Sequence, residues 1–402
     1  MNDPRHDEID QLCAQFWQTP EVTTTPHSPP IYLSSVYACD SPDDARQMLS
    51  GQRPGYVYQR DGHPNGDMLA ERCRLLHAAK WSLITSTGMS AMATVLLGTC
   101  RQGDRLVVSQ DLYGRTLDLL RGESARLGVS CDLVDTSDLA AVEAALAQPA
   151  RLVVAETISN PTLKIADVPQ LAELCHRHGA ELAIDNTFAS PWACRPLTMG
   201  ADYVVESMTK IMNGHADGLL GLVCGTTDKL HNLRRMVSIW GLSASAFDCW
   251  LVARGLSTLH LRAERATANA GAVAQWLSTH PRVGHTLYPG LASHPHHATA
   301  ERMLAGRFGT IVTFTLRCQQ EDPVAVIDRF IRSAGPIPFC PSLGDLATSL
   351  SHPASTSHAN LTPAQLAEGG ISPATVRLSV GVETVAYLQQ ALDAALTKTF
   401  AA

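Results

Sequence analysis

Asp185-Asn186-Thr187, Ser207-Met208-Thr209-Lys210 and Asn213-Gly214-His215 gather one acid, several hydroxyls and one lysine into a short stretch of the chain. A primary amine such as Lys210 can condense with an aldehyde. A carboxylate such as Asp185 can keep a pyridine nitrogen protonated, so that the ring accepts electrons from a carbanion. The hydroxyls of Ser207 and Thr209 can bond a phosphate while the lysine reaches the ring. Each piece alone fits an ordinary turn capped by Asp or Ser. Together, in this order, they meet the needs of pyridoxal phosphate (PLP).

These groups need a scaffold that delivers them to one place. Asp185 ends the apolar run Glu181-Leu182-Ala183-Ile184, which reads as a buried parallel strand. Ser207 to Lys210 follow a second such run, Tyr203-Val204-Val205. Ligands of open α/β sheets sit at such carboxyl ends. Further strands are predicted at Trp81–Ser86, Arg105–Ser109, Val129–Val134, Arg151–Glu156 and Leu219–Cys224. Helical periods lie between most of them, including Ser90–Leu97, Ser137–Ala147 and Pro169–His178. That alternation predicts an α/β architecture with a large, mostly parallel seven-stranded sheet covered on both faces. Thr87-Gly88-Met89-Ser90 follows a strand and opens a helix, where free N–H groups and the helix dipole suit an anion. Tyr113 follows another strand, placed either to stack on a ring or to sit half-buried. A long helical stretch is expected at Ser245–Thr279. Beyond it, residues 309–317 alternate with period two, predicting a smaller C-terminal α+β domain.

The chain has 402 residues, 45% hydrophobic and 17% charged, within the range of an enzyme of about two domains. A net charge of −7 with no basic run argues against nucleic-acid partners. No apolar run approaches the roughly 18 residues of a membrane span, and the first residues lack the order of a signal peptide. Eleven cysteines, scattered from Cys13 to Cys340 without a Cys-x-x-Cys pair, read as reduced thiols of a cytoplasmic protein. Residues 1–60 hold several prolines and little helical period, and read as an extended arm. Phe16-Trp17, with Cys13 and Leu12, reads as part of that arm packing on a subunit. Ser293-His294-Pro295-His296-His297 lacks an acid or thiol at ligand spacing, so no metal site is expected.

The motifs carry a resemblance. Pro30-Ile31-Tyr32, Tyr58-Gln59-Arg60, Ser86–Ser90, Tyr113-Gly114, Glu156–Thr162, Asp185-Asn186-Thr187 and Ser207–Asp217 are similar to the Cys/Met-metabolism family of PLP enzymes. So are Phe247-Asp248-Cys249, Ser342-Leu343-Gly344, His352-Pro353-Ala354-Ser355 and Arg377–Glu383. The resemblance runs from Pro29 onward. It implies fold type I of the PLP-dependent transferases, with an arm at 1–60 touching a neighbouring subunit, a PLP-binding domain at 61–256 and a C-terminal domain at 257–402. It also implies a homotetramer of dimers with shared active sites. By the same resemblance Lys210 is the Schiff-base lysine and proton shuttle, Asp185 the pyridinium partner, and Tyr113 the stacking residue that acts at the leaving group. Gly88, Met89, Ser207 and Thr209 hold the phosphate from within the subunit, and Tyr58 and Arg60 reach the phosphate of the neighbour. Arg377 grips the substrate α-carboxylate, helped by Asn160 and Ser342.

Departures from the family pattern bear on the reaction. His63 stands where an asparagine is usual, at the turn into the catalytic domain. Pro341 replaces the acid that cystathionine specialists often carry before Ser-Leu-Gly. Arg115, where many members have Gly or Cys, either meets a distal anion of the substrate or pairs with Asp118. The implied function is cleavage or formation of a C–S bond at the β or γ carbon of an amino acid, with elimination to keto acid, ammonia and thiol favoured. Asp345 resembles methionine γ-lyases, whereas Phe247-Asp248-Cys249 resembles cystathionine enzymes. The alternative is γ-replacement, as in cystathionine γ-synthases or O-acylhomoserine sulfhydrylases. A non-catalytic PLP-fold binding protein is a remote third reading, since Lys210, Asp185, Tyr113 and Arg377 are all present.

Overall fold

Seven short strands form the large sheet of the computed structural model, which describes residues 24–401. They are β1 (Trp81–Thr85), β2 (Arg105–Ser109), β3 (Ser130–Val134), β4 (Leu152–Glu156), β5 (Glu181–Asp185), β6 (Tyr203–Ser207) and β7 (Gly221–Gly225). Their spatial order is β1-β7-β6-β5-β4-β2-β3. Every pairing from β6 through β3 is parallel, while β7 runs antiparallel to both β1 and β6. The expected mostly parallel α/β sheet is therefore present. β4 and β7 are buried at every position, as runs without polar alternation require. Two hydrophobic clusters cover the faces, one holding Val107, Val153, Leu182 and Val204, the other Leu106, Val108, Leu152 and Val205.

The second sheet is antiparallel throughout: β8 (Val283–Leu287), β9 (Ile311–Leu316), β10 (Ser349–Ser351) and β11 (Thr375–Ser379), in the order β10-β11-β9-β8. It packs with the helices Leu259–Thr279, Pro323–Ser333 and Val385–Thr399 around its own core, which includes Phe314, Phe330, Val376 and Leu392. The period-two run at 309–317 is β9. Both sheets belong to one unit spanning Ile31–Ala402; Met1–Pro30 forms another, whose described part, residues 24–30, carries no helix or strand. Leu12, Cys13, Phe16 and Trp17 lie outside the described residues.

Two expectations change in detail. The stretch read as extended up to residue 60 contains a helix, Pro42–Leu49, started by Ser41, whose hydroxyl accepts from Asp44 N–H (3.1 Å), and by Pro42 in the first turn. The long helical stretch at Ser245–Thr279 is two helices, Ala246–Leu256 and Leu259–Thr279. The break follows from side chains that take the Gly255 carbonyl: the Arg262 guanidinium donates to it (2.9 Å) and so does the Thr258 hydroxyl (3.2 Å). The same guanidinium donates to the carbonyls of Ile211 (2.9 Å) and Met212 (3.0 Å), tying the break to the loop that carries Lys210.

Candidate active site

The carboxyl ends of β2, β4, β5 and β6 deliver Tyr113, Asn160, Asp185 and Ser207–Lys210, and β11 of the second sheet adds Arg377. Lys210 sits in the turn after β6, largely buried, with Nζ donating to Ser342 Oγ (3.0 Å). Burial and then the nearby Arg377 charge lower its pKa from the ordinary lysine value, partly opposed by Asp345. A lysine held this way is readier to be a neutral nucleophile.

Asp185 ends β5. Its Oδ1 accepts from the Thr187 N–H (3.0 Å), and the Thr187 hydroxyl bonds the same carboxylate while accepting from Ser207 N–H (2.9 Å). Burial raises the Asp185 pKa, and both Thr187 bonds oppose that rise. The acid is thus aligned but has no ion-pair partner among the described residues, which suits a protonated ring nitrogen. Thr187 is a positioning residue that the sequence reading left without a role, although its place two residues after an acid at a strand end is a turn signal.

The helix N-terminus at Gly88 and the end of β6 meet by close approach. Thr87 caps the helix Gly88–Thr99 by accepting from Ser90 N–H (2.9 Å). A Cβ on Gly88 would stand 2.8 Å from Ser207 Cβ and 3.0 Å from Ser207 Cα, so only glycine lets the helix N-terminus meet the end of β6. Met89 follows Gly88 in the same first turn. Thr209 exchanges hydrogen bonds with the backbone of Leu220, accepting at 3.3 Å and donating at 3.5 Å. The Gly88 turn and Ser207 are therefore brought together as expected.

Arg377 lies on β11, 4% exposed. Its guanidinium donates to Asn160 Oδ1 (2.9 Å) and Ser342 O (3.0 Å), yet its Nε is buried without a partner. Burial lowers its pKa to about 10. No acid forms a salt bridge with it among the described residues. A buried cation costs several kcal/mol unless an anion meets it, so this cation is poised for an anionic ligand.

Other expected residues fall elsewhere in the single chain. Tyr58 precedes the turn Gln59–Asp61 and Arg60 lies within it, donating to the hydroxyl and carbonyl of Ser238 (both 3.0 Å) and standing 5.2 Å from the Tyr58 ring centroid. Arg115 is exposed and paired with Asp118 at 3.2 Å, the local of its two expected partners. His63 caps the helix Pro64–Leu76, its Nδ1 accepting from Gly66 N–H (3.1 Å), so the imidazole supports the turn into the catalytic region. Sequence reasoning also gave no role to His358. It is buried beside Arg377 and bonded to the Asn160 backbone and to Ser357 Oγ (2.9 Å), with its pKa lowered to about 4, chiefly by burial. Its signal was faint: one histidine six residues past His352-Pro353.

This arrangement fits PLP on its own terms: a buried amine of lowered pKa, a buried acid without a cation, and a helix N-terminus opened by a glycine. Comparison with known proteins points the same way. The family described as Cys/Met metabolism PLP-dependent enzymes matches residues 11–397. An O-succinylhomoserine sulfhydrylase from Pseudomonas aeruginosa is 35% identical over 89% of this chain and 87% of its own. A cystathionine γ-lyase from Homo sapiens is 36% identical over 92% of this chain and 88% of its own. The crystal structure of a cystathionine γ-synthase from Xanthomonas oryzae pv. oryzae in complex with cystathionine superposes with a TM-score of 0.87. It is 36% identical and covers 93% of this chain and 94% of that one. Three different reactions thus stand at nearly equal similarity.

Proposed function

The chain belongs to the Cys/Met-metabolism PLP-dependent enzymes, and from that premise we propose that it cleaves or forms a C–S bond at the β or γ carbon of an amino acid, with elimination to keto acid, ammonia and thiol as its main reaction. The observation that carries this reading is the buried, anion-free guanidinium of Arg377, one serine away from the Lys210 amine. An amino-acid carboxylate would fill that position in bidentate fashion. Its α carbon would then face Lys210.

When bound, PLP supplies an electron sink for the carbanion left as an amino acid loses its α proton. Lys210 would anchor the cofactor and carry protons to and from the substrate carbons. Asp185, aligned by Thr187, would hold the ring nitrogen protonated. Gly88, Met89, Ser207 and Thr209 would hold the phosphate, joined by Tyr58 and Arg60 of a neighbouring subunit. Asn160 and Ser342 would hold Arg377 at its angle, and Tyr113 would cover the ring and donate a proton to the departing sulfur. In this reading residues 1–60 are an arm, 61–256 bind PLP, 257–402 close the site, and the assembly is a homotetramer of dimers with shared sites. Free thiols at every described cysteine fit a reducing, cytoplasmic setting.

A second reading, γ-replacement on an O-acylated homoserine, is favoured by Arg115. Its exposed pair with Asp118 is of a kind worth only about 0–1 kcal/mol, so the guanidinium can exchange that partner for a distal carboxylate of the substrate. The test is a panel of cystathionine, methionine, cysteine, homocysteine and O-acylhomoserines, with and without added thiol. Keto acid and ammonia from the thioethers support elimination, whereas thioether formed only from O-acylhomoserine and thiol supports replacement. Turnover of none of them refutes the proposal.

A further inference from the structure

Glu156 ends β4 directly beside Asp185 at the end of β5, the two being register partners in a parallel pair. Register partners in neighbouring strands share a sheet face, so two acids lie side by side in the buried floor of the site. Only one of them has a task in the reading above.

Glu156 is held from two directions. Its Oε1 accepts from the Tyr113 N–H (2.8 Å), and the carboxyl also takes the Asn160 backbone N–H. Its Oε2 is buried with no hydrogen-bond partner. The charges that face it are Asp185 from β5, Asp111 from the turn after β2, and Lys164 from the loop after β4. Lys164 is already shared between Asp111 (3.0 Å) and Asp135 (2.8 Å). No cation is therefore left for Glu156 among the described residues. As a carboxylate it would stand unpaired beside a second carboxylate, with one oxygen orphaned. As a protonated acid its second oxygen becomes a donor. The small polar cavity it lines with Ser109, Thr136, Ser137 and Ser159, about 10 Å³ and room for roughly one water, offers that donor a partner.

We propose that Glu156 is a neutral acid and a positioning residue, fixing the backbone of Tyr113 on one side and of Asn160 on the other, and so setting the ring-covering tyrosine and the Arg377 grip in register with Asp185. The proposal rests on the reading of the Lys210 cluster as the active site. It goes beyond it by assigning one buried acid the alignment of both walls. Burial, and then the Asp185 charge, hold the Glu156 pKa well above the usual carboxylate range. The folded state thus keeps a proton that the unfolded chain releases. The stabilisation is fully present below the ordinary carboxylate pKa and is lost as pH rises toward the folded value.

The test uses Glu156→Gln and Glu156→Ala in the full chain, with cofactor-free and cofactor-loaded protein. An amide reproduces the neutral acid's shape, with one oxygen to accept from Tyr113 and one donating group. Glu156→Gln should fold, keep kcat/KM within about twofold and retain the circular dichroism of the bound cofactor. Its cofactor-free thermal stability should fall less than that of the wild type as pH rises above the carboxylate range. Glu156→Ala should lose about ten- to hundredfold in kcat/KM, mainly through KM because the Arg377 grip loosens, with a weakened cofactor dichroism. If Glu156→Ala does not fold, Glu156→Gln decides alone. Misfolding of Glu156→Gln, a loss as large as that of Glu156→Ala, or an unchanged pH dependence of stability overturns the proposal. Failure of the underlying reading is separate, because it would appear as activity surviving in Lys210→Ala.

Discussion

Lys210 and Arg377 stand at opposite ends of one short chain of contacts through Ser342, which receives from the amine at its hydroxyl and from the guanidinium at its carbonyl. Lys210→Ala removes both the covalent anchor and the proton carrier, so turnover should fall by several orders of magnitude. The check is steady-state kinetics beside the absorbance of the cofactor-loaded protein; near-normal turnover would end the assignment. Arg377→Ala should raise KM about ten- to hundredfold, the worth of a charge-assisted contact of roughly 1.5–3 kcal/mol. The same change removes a positive charge that helps lower the Lys210 pKa. The pH midpoint for attachment of the cofactor to Lys210 should therefore move upward, toward the ordinary lysine value, when followed by absorbance titration. A midpoint that stays or drops would separate the two groups. Arg115→Gly should lose selectively on a succinylated over an acetylated homoserine, by roughly tenfold or more if the guanidinium meets the distal carboxylate. Equal kcat/KM ratios for the two esters would leave Arg115 a local partner of Asp118.

At the scale of elements, two helix starts carry the argument. The helix Gly88–Thr99 meets β6 so closely that Gly88→Ala must move one of them, at about 1–3 kcal/mol for an overpacked contact. The expected outcome is weaker cofactor retention on dilution or gel filtration with nearly normal far-UV dichroism; unchanged retention would mean that the contact relaxes freely. The helix Pro64–Leu76 begins at His63, whose imidazole caps it by accepting from Gly66 N–H. His63→Ala should cost about 0.5–2 kcal/mol, read as a lower thermal midpoint, and His63→Asn should recover much of it. Asparagine is shorter but is among the best residues at this position, so equal losses in the two variants would show that the imidazole matters for packing alone.

Between subunits, the turn at Tyr58 and Arg60 is proposed to serve a phosphate that its own chain does not offer it. In the single chain Arg60 rests on Ser238, on the surface of the helix Leu230–Trp240. A neighbouring subunit would supply the site it serves. Mixing Arg60→Ala with Lys210→Ala subunits should restore part of the activity, because hybrids contain one site in which both residues are intact. Subunit exchange demonstrated by mass, without recovered turnover, would count against shared sites. The apolar residues exposed near this turn, Val36, Ile239 and Trp240, supply the kind of surface such an assembly buries.

The strands are legible in the residues alone, as are the amine, acid and hydroxyls that stand at their ends. Glu181–Asp185 and Arg105–Ser109 are bounded correctly because the buried apolar triplets Leu182-Ala183-Ile184 and Leu106-Val107-Val108 are each framed by a polar residue at either end. Lys210 and Asp185 were legible because few side chains can serve as an amine and a buried acid at adjacent strand ends. Partnership is what the residues do not show. β7 enters antiparallel between β1 and β6, an order that the apolar run Gly221–Gly225 does not encode, since periodicity reports burial and not the neighbour. Asn160 meets Arg377 across 217 residues, and Glu156 meets Asp185 because two parallel strands are in register. The helix at Pro42–Leu49 escaped notice because its start depends on a Ser41–Pro42 cap rather than on an apolar stripe; none of its residues is buried. The break at Ser257-Thr258 arises from Arg262, which takes the Gly255 carbonyl because its guanidinium is buried between the helix junction and the Lys210 loop. Local pattern records how much of each residue is hidden from water, whereas the closing of the chain selects which groups hide it.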